Sequence, residues 1–191
     1  MILRPPAQID QATLAFCATI TPSAPLYVRV EPAEGARPAY CFDNSAAAAA
    51  RHGGAAAHGW AIWRWPGRYF EAEHHAVWRR PDGSLLDVTP QLGTPERILF
   101  LPDDAAVYDP ITYRRNIMAA DAGNADARDY IALVAARGDI TGRYWEPGMD
   151  VLPLFSAEDQ RRLAPMEASD GRAARRDGGR LTIPRPSSAR R

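Results

Sequence analysis

Between residues 58 and 90 the chain is divided by turn-forming residues at intervals that suit antiparallel strands, and this restricts its folding more than any other feature. Residues 58–65 (HGWAIWRW) end at Pro66-Gly67, residues 69–79 (YFEAEHHAVWR) run to Pro81-Asp82-Gly83, and residues 84–89 (SLLDVT) end at Pro90. Proline and glycine interrupt periodic structure and favour turns, so three consecutive strands are expected. The second loop also predicts a register. Pro first and Gly last suit a type I turn closed by a left-handed glycine, with Arg80 and Ser84 as the flanking pair. Val77 then faces Asp87, and His75 faces Thr89. His75 and Asp87 become diagonal neighbours on one face of the ribbon. A slip of one residue would put them on opposite faces.

Upstream lies the clearest helix, residues 41–52 (CFDNSAAAAARH). Alanine has the highest helix propensity, Asp43 and Asn44 suit a helix start, and Gly53-Gly54 supplies the stop. Cys41 therefore falls at the mouth of a helix, where free amides and the positive dipole end favour a thiolate. Residues 7–19 predict a short helix with Cys17 on its buried face. Residues 26–31 and 97–101 read as strands, residues 125–137 as an amphipathic helix ending at Gly138, and residues 156–163 as a helix opened by Ser156 and Asp159. Residues 166–191 contain seven arginines, three acidic residues and little that is apolar, which predicts a disordered Arg-rich tail.

Composition limits the chemistry. The 191 residues suit one domain, and the formal net charge of zero gives no global attraction to nucleic acid or to an anionic membrane. All 23 cationic residues are arginine. The absence of lysine excludes a lysine Schiff base and a lysine-based phosphate loop. Two cysteines are too few for a disulfide framework, and no CxxC pair marks a structural zinc site. The N-terminal MILRPPAQIDQ lacks a secretory pattern, and no apolar run reaches the length of a membrane span. A soluble cytoplasmic protein with reduced thiols, needing no cofactor, is the expectation.

A thiol, an imidazole and a carboxylate form the set needed for covalent acyl transfer. Cys41, His75 and Asp87 are the candidates, the carboxylate orienting the ring. The strings CFDN, HGW, EAEHHAVW and DGSLLDVTP, within residues 38–90, resemble bacterial proteins of the papain-like and transglutaminase-like superfamily. The resemblance implies Cys41 as nucleophile, His75 as general base and acid, and Asp87 as orienting residue. It implies a thiol-dependent hydrolase or acyl transferase acting on an amide, isopeptide or thioester bond of a peptide, protein or acyl substrate. His74 adjoins His75, but the HAVW context and the shared face with Asp87 select His75. Neither Gln8 nor Gln11 is assigned as an oxyanion donor.

Other readings compete for the same residues. Glu71, Glu73 and His75 share a strand face, and with Cys41 or Asp87 they would make a zinc site, although no HExxH spacing is present. A papain-like scaffold that binds a partner without turnover is a further alternative. His52 reads as a helix C-terminal cation and His58 as a strand-entry residue. Trp60, Trp63, Trp65 and Trp78 read as core, with a groove wall as the alternative. The expected fold is α+β over residues 1–165: an antiparallel sheet of about four strands against the Ala-rich helix that bears the cysteine. Helices within residues 125–165 would cover an edge or a face.

Overall fold

The computed structural model describes residues 3–112, 114–144, 146 and 155–164. The tail expected over residues 166–191 lies outside them. In chain order the elements are α1 (Gln11–Ala18), β1 (Leu26–Val30), α2 (Cys41–His52), β2 (Ala55–Trp65), β3 (Tyr69–Arg79), β4 (Leu85–Asp87), β5 (Arg97–Pro102), β6 (Ile117–Ala120) and α3 (Ala125–Arg143). A last helix, α4, covers residues 157–164. None of these helices is long and apolar enough to cross a membrane.

The fold is mixed α and β, but the sheet is larger than four strands and not wholly antiparallel. Its order is β2-β5-β1-β4-β3-β6, and β2 also pairs with β3, so five strands close into a barrel with β6 attached outside. Closure leaves little free strand edge, the main exception being the outer edge of β3 beyond its short pairing with β4. The pair β1–β4 is parallel, because the long connection through α2 and the β2–β3 hairpin returns the chain beside β1 in the same direction. β6 escapes sequence reading because four residues with two alanines carry little strand propensity. It forms on an edge that β3 offers, pairing with Tyr69–Ala72.

Each face of the barrel has its own apolar cluster. Val28, Ala57, Ala61, Val77, Ile98 and Phe100, with half-buried Leu85, draw on all five barrel strands and fill the interior. Small Ala57 and Ala61 leave room for Phe100, as a narrow barrel requires. Outside, α1 lays Phe16 and Cys17 against Trp60, Ile62, Phe70, Leu99 and Leu101. Asp10 caps α1 by accepting from the Thr13 amide at 2.8 Å. Leu14 of the same helix points outward and is 42% exposed. α2 covers Leu86 and Val88 through Ala48.

α3 runs past Gly138, the expected end, to Arg143. A Cβ at Gly138 would come within 2.6 Å of the Arg115 side chain. That side chain crosses the helix to pair with Asp139 at 2.8 Å and to donate to the Ala135 carbonyl. The glycine thus lies inside the helix with the Arg115 side chain close over it, and is not a stop. The start of α4 follows the expected box: the Ser156 hydroxyl accepts from the Asp159 amide at 3.1 Å.

Candidate active site

The hairpin between β3 and β4 sets the geometry. Arg80 and Ser84 close its loop through the bond from the Arg80 amide to the Ser84 carbonyl at 2.8 Å, and Gly83 has φ 84°. Trp78 then pairs with Leu86 and Arg79 with Leu85. This register puts His75, Val77 and Asp87 on the face that carries the barrel interior. His75 Nε2 lies 3.2 Å from Asp87 Oδ2. Asp87 is fully buried and His75 nearly so.

The outer edge of β3 is shared between two partners. β4 takes Trp78 and Arg79, and β6 takes Tyr69–Ala72. Residues 73–77 lie between the two ladders, and α2 fills the place of a strand there: the Ser45 hydroxyl donates to the Ala76 carbonyl at 3.1 Å. Cys41 is one turn before Ser45, hence on the same helix face. It meets the neighbouring residue of β3, its sulfur acting on the His75 ring. With Nε2 engaged by Asp87, Nδ1 is the nitrogen left for the sulfur. Across the β2–β3 ladder His75 faces Gly59. Any Cβ there would come within 2.2 Å of the Leu101 carbonyl, so only glycine allows β5 to approach.

The helix start is held from the side, not by a capping side chain. Tyr40 is the N-cap and makes no side-chain cap bond, while Ala39 before it has φ 64°. Asn44, expected as a cap or first-turn residue, lies in the first turn and reaches backward. Its carboxamide accepts from the Arg37 amide at 3.2 Å and donates to the Arg37 carbonyl at 2.8 Å. It also contacts Thr89 Oγ1 at 3.1 Å. The Thr89 amide donates in turn to Asp87 Oδ1 at 3.0 Å. Hydrogen bonds therefore run from Asn44 through Thr89 and Asp87 to His75, which returns to α2 beside Cys41.

Opposing effects act on the imidazole. Burial alone would drive its pKa down, but the Cys41 sulfur and the Asp87 carboxylate overcome this and hold it well above the ordinary histidine value. The arrangement therefore favours a protonated ring between two acidic groups. Its neighbour His74 is employed elsewhere. On the opposite face its Nε2 approaches the Ala106 carbonyl at 2.6 Å, and burial lowers its pKa.

The remaining candidates separate. Glu71 accepts from Asn116 at 2.6 Å and Glu73 from the Trp63 indole at 3.0 Å. Among the described residues no three His, Cys, Asp or Glu side chains are grouped to hold a metal, so the zinc arrangement drawn from this strand does not assemble. His52 ends α2 and packs on Trp78 at 5.6 Å. His58 lies within β2, not at its entry, because β2 starts three residues earlier than expected. Trp60 is buried beneath α1 with its indole on Asp103 at 2.9 Å, and the Trp78 indole donates to the Gly53 carbonyl. Trp65 packs near Tyr69 at 5.9 Å.

Two contributions were not visible in the sequence. Phe42, next to the thiol, stacks on Tyr108 at 4.1 Å and tilts against His74 at 4.7 Å. Gln91 donates its side-chain amide to Asp87 Oδ2 at 2.7 Å. Neither Tyr108 nor Gln91 stands in a periodic segment, so no spacing points to it. Comparison with protein-family models, with curated proteins and with solved structures finds no match to this chain.

Proposed function

We propose that the protein is a thiol-dependent hydrolase or acyl transferase of papain-like or transglutaminase-like type, using Cys41, His75 and Asp87 on an amide, isopeptide or thioester bond. The observation that carries this reading is an imidazole engaged by a thiol at a helix mouth and by a buried carboxylate. The Cys41 sulfur, as thiolate, attacks the carbonyl carbon, and the π pair moves onto oxygen. Amides at the start of α2, that of Cys41 among them, are the donors for this oxyanion. Collapse breaks the bond to the leaving amine or thiolate, which takes the proton from His75. Water or an acceptor amine then gives a proton to His75 while attacking the thioester. The C–S bond breaks, and the thiolate–imidazolium pair is restored. Asp87 orients the ring and stabilises its cation throughout.

A non-catalytic binding scaffold is the second reading, and the burial of the site favours it: Cys41 is 6% exposed and His75 4%. Thiol reactivity separates the two. Iodoacetamide should alkylate Cys41 faster than Cys17 near neutral pH, and an electrophilic peptide probe should label the wild type but not Cys41→Ser. Equally slow alkylation of both thiols would favour the scaffold.

A further inference from the structure

Asp87 is a buried carboxylate whose one ion-pair partner among the described residues is His75. Such a group must be satisfied by donors, and its orientation decides whether it orients the ring. Two of its donors come from the short stretch after β4: the Thr89 amide on Oδ1 at 3.0 Å and the Gln91 side chain on Oδ2 at 2.7 Å. The two oxygens turn together, so both bonds resist rotation of the group; the Thr89 bond spans only two residues of chain, whereas Gln91 reaches back from beyond Pro90. The Gln91 bond falls on the same oxygen that meets His75.

We propose that Gln91 is a positioning residue of this site, its amide fixing Asp87 so that Oδ2 stays aimed at His75. This rests on the triad reading above. The contact has one chemically sensible polarity, because only the amide nitrogen can donate to a carboxylate. Gln91 lies past Pro90 in a segment with no strand pairing and is only partly buried. A long side chain there would otherwise be solvated, and its inward reach ends on the Asp87 carboxylate. With an N–H donor on each oxygen, the Asp87 carboxylate is held from both sides, and Oδ2 is kept toward the imidazole. The titratable groups coupled to His75 are Cys41 on α2, Asp87 on β4 and His74 beside it on β3.

The test is the pH profile of Cys41 alkylation by iodoacetamide in the full chain, with Cys17 as internal reference. Gln91→Met keeps the length and removes the donor; Gln91→Ala removes both. Without the donor the carboxylate is free to turn Oδ2 from the ring, the imidazolium is less stabilised, and thiolate forms at higher pH. The acid limb should move up by about one pH unit, an approximately tenfold slower reaction at about pH 6 that converges with wild type at about pH 9. A role confined to stability would leave this limb in place. If either folded variant reproduces the wild-type profile, or moves it to lower pH, the role of Gln91 is overturned while the triad stands. If Cys41 of the wild type reacts no faster than Cys17, the triad reading fails and this inference with it.

Discussion

The end of α1 and the start of α2 each carry a buried cysteine against the same barrel, yet the two thiols occupy opposite chemical settings. Cys17 packs with Phe16 and Trp60 in the outer apolar cluster, and burial pushes its pKa up to about 11. Cys41 has comparable burial but meets an imidazole that is itself held by a carboxylate. Exposure therefore does not distinguish them. Helix polarity and partner do: one thiol sits near a carbonyl-rich end among hydrocarbon, the other at an amide-rich end facing a cation.

Replacing His75 should abolish that contrast most completely. In His75→Ala, Cys41 alkylation near neutral pH should fall on the order of 10²-fold, with Cys17 unchanged. The same ring makes stability pH-dependent. Its folded pKa lies above its unfolded value, so its contribution is fully present below the ordinary histidine value and is lost as pH rises through the raised one. Denaturant titrations should show the wild type losing stability relative to His75→Gln on the alkaline side; a parallel pH dependence would contradict the raised pKa.

Asn44→Ala tests the frame and not the chemistry. It removes the bonds to Arg37 and Thr89 and leaves buried groups unpartnered, which should cost roughly 2 kcal/mol in chemical denaturation. Cys41 should also slow, because the segment before the helix is no longer tied to the segment after β4. Unchanged stability would mean that water replaces these bonds. The smallest effect belongs to α1. Asp10→Ala deletes a helix cap and should cost about 1 kcal/mol without altering Cys41 reactivity, as a melting curve and an alkylation rate would show together.

Local rules made much of the site legible before any coordinates. The loop Pro81-Asp82-Gly83 specifies a three-residue connection, and the register places His75 and Asp87 on one face. The Ala-rich run bounded by Gly53 specifies α2 and its first residue. Local rules misled at Gly138, where a glycine that reads as a stop lies inside α3 with the Arg115 side chain packed over it. They also missed β6, a four-residue run in which only Ile117 favours a strand and which forms on the edge it joins.

By itself the sequence determined that a thiol would begin a helix and that a ring and an acid would share a hairpin face. Those outcomes depend on turn stereochemistry and helix propensity within a few residues. Only the tertiary structure decided that the barrel closes, that α2 lies along the outer edge of β3 between its two ladders, and that Gln91 reaches Asp87. Each of these depends on partners distant in sequence or on a loop without periodicity, and the free energy of such contacts is set by which surfaces meet, a quantity that no local pattern encodes.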